Sequence, residues 1–200
     1  MLRRPRFRPL VVLTAAAVMV VALLAGCTGG TDAVDTNANG EFRYVGSTKR
    51  GTVIPPDKRK QVGDVTGDLL TGGGTFDLKA NRGQVVVLNY WASWCSPCVV
   101  EIPGFDQLYR TVKSQGIEFV GVGVKDTHAH LSEFVKDNRV SYPNVYDPNA
   151  KTALQLGRIP ASSLPSTVIL DRKGRVAAVY VGPVLAGDLR PVLRTLGAEK

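Results

Sequence analysis

Cys95 and Cys98, separated by Ser96-Pro97, are the residues of this chain whose types and spacing can do chemistry. A thiol at a helix N-terminus is pushed toward thiolate by unpaired backbone N–H groups and the positive end of the helix dipole. A second thiol three residues on lies one turn into the same helix, near enough to close a disulfide. A nucleophile with a resolving partner is the minimum equipment of thiol–disulfide exchange. Other uses of the motif fit less well. Structural zinc takes about four ligands, and the chain has no second CxxC and only two histidines, His128 and His130. Haem attachment needs a histidine directly after the second cysteine; Val99 stands there. The HxH pair lacks further candidate ligands and reads as a surface feature at a helix start, so no metal site is expected.

These thiols need a strand to deliver them and a helix to receive them. Val85–Trp91, apolar but for Asn89, reads as a buried strand. After it Val99, Ile102, Leu108, Tyr109 and Val112 recur at helical spacing and predict a helix to about Ser114, kinked at Pro103. Upstream, Val65–Leu70 and Thr75–Leu78 flank Gly72-Gly73-Gly74 and predict a β-hairpin. Downstream the pattern gives a strand at Ile117–Val124, a helix from about His130 to Asn138, a strand at Asn144–Tyr146 and a small helix near Ala150–Leu156. Strands Thr167–Leu170 and Val176–Val181 then flank a turn at Asp171–Gly174, and a last helix spans about Gly187 to Leu196. Strands alternating with helices predict an α/β fold with helices on both faces of a central sheet, and the closing hairpin makes that sheet mixed.

Arg3, Arg4, Arg6 and Arg8 precede Leu10–Leu24, an apolar run interrupted only by Thr14 and followed by Ala25-Gly26-Cys27. Positive, then apolar, then small residues is a secretory signal pattern. Leu24-Ala25-Gly26-Cys27 resembles a bacterial lipobox, with Cys27 as the lipidated residue. An uncleaved anchor competes, but the run is near the lower limit of about 17 residues for a span. Cleavage before Cys27 removes four arginines and takes the net charge from +8 to +4, a balance without a nucleic-acid signature. With Cys27 lipidated and the CxxC working, no cysteine is left for a structural disulfide. Residues 28 to about 59, rich in Gly, Thr, Asn, Asp and Lys, read as a flexible tether. Phe42, Tyr44 and Val45 mark a short strand or docking contact within it. The cluster Lys49, Arg50, Lys58, Arg59 and Lys60 reads as solvated linker charge rather than a headgroup contact. The expected organisation is a signal peptide at 1–26, a tether at 27–60 and a folded domain at 61–200, lipid-anchored on the outer face of the cytoplasmic membrane.

Asn89-Tyr90-Trp91-Ala92-Ser93-Trp94-Cys95-Ser96-Pro97-Cys98 resembles the active-site segment of the thioredoxin superfamily. Pro103 matches that family's kinking proline, and Leu164-Pro165-Ser166-Thr167 resembles its cis-proline loop. The resemblance covers about Gln61 to Leu196. The lipoprotein start, the glycine hairpin, Glu101-Ile102-Pro103 and Asn89 make the chain similar to the membrane-tethered TlpA/ResA-like branch, which includes cytochrome c maturation reductases. This implies a thioredoxin-like fold, a central mixed β-sheet flanked by helices, with an N-terminal β-hairpin extension. It implies Cys95 as nucleophile, Cys98 as resolving thiol, and a cis bond before Pro165 that turns the Leu164 backbone toward Cys95 for pairing with a substrate strand. Trp94 would offer clients an apolar rim, with Trp91 in the core. Thioredoxin proper carries a buried Asp where Asn89 stands, and an amide does not titrate. Glu101, one turn after Cys98, is therefore the candidate for proton transfer; the competing reading is an ordinary solvated glutamate near a helix start. The loop Arg158–Leu164 is longer than usual for the family, so client choice need not follow the relatives.

The expected activity is extracytoplasmic thiol–disulfide exchange that reduces disulfides of exported clients such as apocytochrome c. No cofactor beyond the redox-active disulfide is expected, and electrons would come from a membrane thiol donor of the CcdA/DsbD type. Disulfide insertion would use the same residues, because Ser96-Pro97 does not fix the direction of exchange. A peroxiredoxin-like peroxidase would normally carry Thr three residues before its cysteine, where this chain has Ala92. A lipoprotein that merely binds would not need both cysteines together with Pro165.

Overall fold

The computed structural model describes residues 34–36, 42–44, 51–157 and 163–199. Strands β1 (Val34–Thr36) and β2 (Phe42–Tyr44) pair antiparallel as a two-stranded sheet of their own, so the apolar interruption of the tether is a strand. Then follow β3 (Thr52–Val53), β4 (Thr66–Asp68), β5 (Thr75–Asp77), β6 (Val85–Trp91), α1 (Ser96–Val112), β7 (Ile117–Gly123), α2 (His128–Asp137), β8 (Asn144–Tyr146), α3 (Lys151–Gln155), β9 (Ser166–Leu170), β10 (Val176–Val181) and α4 (Ala186–Ala198). The β4–β5 pair is the expected hairpin, closed around three glycines at positive φ.

The main sheet has the order β3-β10-β9-β6-β7-β8. β6, β7 and β8 run parallel, while β9 is antiparallel to β6, and β10 to β9. The sheet is therefore mixed, as expected. β6 is buried at all seven positions, which is why its sequence is a continuous apolar run rather than an alternating one. Its side chains still alternate: Val85, Val87 and Trp91 join a core under α1, α2 and α4, and Val86, Leu88 and Tyr90 join a core on the other face. That second face is covered by α3, the β4–β5 hairpin and the segment around Ile54 and Val62. By the same alternation Asn89 faces α1.

One boundary moves. Residues 51–60, expected in the tether, belong to the fold: β3 pairs with β10, and Ile54 is buried and donates its N–H to Ala177 O at 2.8 Å. Arg59, expected as solvated charge, is buried and bonded to Ile54 O, Asp171 and Glu199. A two-residue strand carries too little periodicity to be seen in sequence, and a buried arginine inverts the usual charge pattern. The described residues contain no helix long and apolar enough to cross a membrane. Cys27, the apolar run before it, Lys49 and Arg50 lie outside the described residues, as does 158–162 of the longer loop.

Candidate active site

The C-terminal end of β6 hands the chain directly to α1, with Cys95 as the capping residue in extended conformation. Cys95 and Cys98 are joined as a disulfide, Cα to Cα 5.3 Å apart. Cys98 is fully buried, whereas Cys95 keeps 5% exposure, so an incoming disulfide can reach only Cys95. Val99 N–H closes the first helical bond on Cys95 O at 3.1 Å, and Pro97 in the first turn has no N–H to spend. Once the bond is reduced, a Cys95 thiolate would sit at the positive end of a 17-residue helix.

Beneath the pair lies a buried polar group in an otherwise apolar core. Glu101 is 3% exposed, so it is not the solvated glutamate of the competing reading. Its Oε1 accepts from Asn89 Nδ2 at 2.8 Å and its Oε2 from Val184 N–H at 3.2 Å. Asn89 Nδ2 also donates to Thr167 Oγ1 at 3.2 Å, across the β6–β9 register pair. Burial pushes the Glu101 carboxyl up to about 7, with the Asn89 and Val184 bonds pulling the other way. A carboxyl poised there can take or return a proton near neutral pH.

The Leu164–Pro165 bond is cis, as expected. Pro165 directly precedes β9, whose Ser166 pairs with Tyr90, so it lies at the end of β6 from which the cysteine helix departs. Its carbonyl accepts from Gly182 N–H at 2.9 Å. Leu164 is half-buried against both cores. Trp94 is 60% exposed, and Val100 and Leu185 are large exposed apolar side chains too. Val100 precedes the buried Glu101 on α1, and Leu185 follows Val184, whose N–H bonds that carboxyl. Trp91 is core: its indole N–H donates to Asn144 Oδ1 at 3.1 Å, directly over Gly121, where any Cβ would collide with both partners. His128 and His130 are exposed on the first turn of α2, and no metal-holding cluster occurs among the described residues.

Sequence reasoning missed the groups that hold the cysteine loop from outside. Asp126 Oδ2 accepts from Ser93 N–H at 2.8 Å and from Ser93 Oγ at 2.6 Å, and Lys125 O accepts the Trp94 indole at 3.0 Å. Two neighbours in the β7–α2 turn thus grip two neighbours before Cys95. Burial alone would raise the Asp126 carboxyl, but the Ser93 and Thr127 donors outweigh it and hold it low, so it stays ionised. Lys125 at φ 53 turns its carbonyl out at the cost of a left-handed backbone. Nothing local in Lys125-Asp126-Thr127 distinguishes this grip from a helix cap; only the fold brings Ser93 to it. Val184 was missed for the same reason.

Comparison with known proteins agrees with this geometry. Residues 51–195 match the family model described as Redoxin. The chain is 34% identical over 112 residues to the thiol-disulfide oxidoreductase ResA of Bacillus subtilis (strain 168), which is 56% of this chain and 61% of that protein; the match thus spans under two thirds of the relative. A crystal structure of a DsbF homologue from Corynebacterium diphtheriae superposes with a TM-score of 0.73 at 36% identity, covering 78% of this chain and 98% of the other. A secreted thiol-disulfide isomerase from Corynebacterium glutamicum gives 0.72 at 34%, covering 76% and 93%.

Proposed function

Because this chain belongs to the Redoxin family and is TlpA/ResA-like within the thioredoxin superfamily, we propose that it is an extracytoplasmic, membrane-tethered thiol–disulfide oxidoreductase that reduces disulfides of exported proteins. The observation that carries the reading is the Cys95–Cys98 disulfide at the start of α1, over a buried carboxyl poised near neutrality. In the reduced enzyme the Cys95 thiolate attacks one sulfur of the client disulfide, and the other client sulfur leaves as a thiolate. Cys98 gives its proton to Glu101, attacks Cys95, and expels the second client thiolate. Two electrons pass to the client, and the oxidised Cys95–Cys98 pair remains. Trp94, Val100 and Leu185 offer the client an apolar rim, and the Leu164 backbone next to Pro165 offers strand-like pairing. Apocytochrome c is a fitting client, a membrane thiol donor of the CcdA/DsbD type a fitting source of electrons, and Cys27 the point of lipid attachment.

The isomerase from Corynebacterium glutamicum favours a second reading, in which the same residues form or shuffle disulfides. Equilibration of the purified chain with dithiol buffers of known potential separates the two. The reductant reading expects a potential near or below that of thioredoxin, about −270 mV; a value near that of a strong oxidant, about −120 mV, contradicts it.

A further inference from the structure

We propose that the end of the molecule opposite the disulfide is a docking face for an anionic phospholipid surface. α1 has 17 residues, so at ~1.5 Å each it separates that end from Cys95 by about 25 Å. Cations collect there. Arg82 donates to Lys173 O and Arg172 to Gly83 O, each at 2.7 Å, which joins the turn before β6 to the turn before β10. Arg172 also reaches Gln115 O and Gly197 O, just beyond α1 and near the end of α4. These bonds engage N–H donors but neutralise no charge. Arg190 and Arg194, one turn apart on α4, continue the belt along a groove of about 210 Å³ floored by Leu108, Val112 and Leu193. Among the described residues none of these five cations forms an ion pair with a carboxylate. The nearby acids are engaged elsewhere: Asp171 with Arg59 and Arg175, Glu199 with Arg59, and Glu118 with Tyr109 and Lys113.

The other flank of α4 is mostly apolar. Val53, Pro191, Val192 and Leu196, with Arg59 and Thr195, line a second groove of about 160 Å³. Guanidinium groups beside apolar grooves match a lipid interface, with phosphate outermost and hydrocarbon beneath. Docked by this end, the enzyme would hold Cys95 away from the membrane, toward exported clients. That orientation rests on the proposed function; the docking rests on charge and shape alone.

The test uses the full chain with vesicles of phosphatidylcholine, or of equal parts phosphatidylcholine and phosphatidylglycerol, and reads acylation of lysine amines by mass spectrometry. Lys173 reports on the belt, and exposed Lys151, at the start of α3, is the control. Lys173 should react about fivefold more slowly on anionic than on neutral vesicles, with Lys151 unchanged. High salt should abolish the difference. The double variant Arg190→Glu, Arg194→Glu should abolish it too, while client reduction in solution stays at the wild-type rate. If that variant does not fold, Arg190→Gln with Arg194→Gln serves, with a smaller loss of protection. Inorganic phosphate should release the chain no better than chloride of equal ionic strength. Equal Lys173 reactivity on both vesicles overturns the proposal, and so does specific release by phosphate, which would mark a free-phosphate site. Retention by neutral vesicles reports N-terminal attachment separately, so its absence counts against the tether and not against the belt.

Discussion

Glu101 is the buried carboxyl beside the cysteine pair, and its raised titration gives the fold a predicted pH dependence. In the unfolded chain its carboxyl titrates near the ordinary value of about 4.3; in the fold burial raises it to about 7. The folded state therefore binds the proton more tightly. The resulting stabilisation is complete below the unfolded value, falls as pH rises, and is gone above the folded one. Wild type should lose about 3 kcal/mol between those limits through this group, measured by denaturant unfolding, and Glu101→Gln should remove that slope. The variant should also titrate its thiols at lower pH, because a negative neighbour opposes thiolate formation, and should reduce clients more slowly near neutrality. Superimposable thiol titrations and turnover would leave Glu101 without a role in proton transfer. Its helical position was legible from its spacing to Cys98. Its burial was not, because part of its cover is Val184, 83 residues away.

The turn between β7 and α2 holds the cysteine loop through three hydrogen bonds, from Ser93 N–H and Oγ to Asp126 and from the Trp94 indole to Lys125 O. Asp126→Ala removes a charged acceptor serving two Ser93 donors and should cost about 3 kcal/mol of stability. Client reduction should fall severalfold, and the emission of Trp94 should shift as its indole leaves Lys125 O. Asp126→Asn keeps one acceptor oxygen and should recover part of both. Unchanged turnover and emission in a folded Ala variant would contradict the positioning role. Elements were legible where an apolar run has hard edges: Val85–Trp91, Asn144–Tyr146 and Val176–Val181 fall where their patterns put them. They shifted where a side chain decides the boundary. α2 begins at His128 rather than His130 because Thr127 caps it, its side chain accepting from His130 N–H. α4 runs through Pro191 and past Leu196, which local propensity alone disfavours.

At the scale of the whole molecule, the paired cysteines and the closing hairpin of the mixed sheet were readable from short, local patterns, and the cis proline only through the family resemblance of its loop. The start of the fold was not, because Arg59 takes its meaning from Asp171 and Glu199, at the far end of the chain. The proposed activity reduces to one ordered exchange, in which Cys95 would attack and Cys98 would release. Replacing Cys98 by Ser and offering a disulfide-bonded client, followed by non-reducing electrophoresis and mass spectrometry, tests it most directly. Cys98→Ser should accumulate a mixed disulfide through Cys95, while Cys95→Ser traps nothing. No adduct through Cys95 where the wild type turns over, or an adduct through Cys98 in Cys95→Ser, would contradict the account.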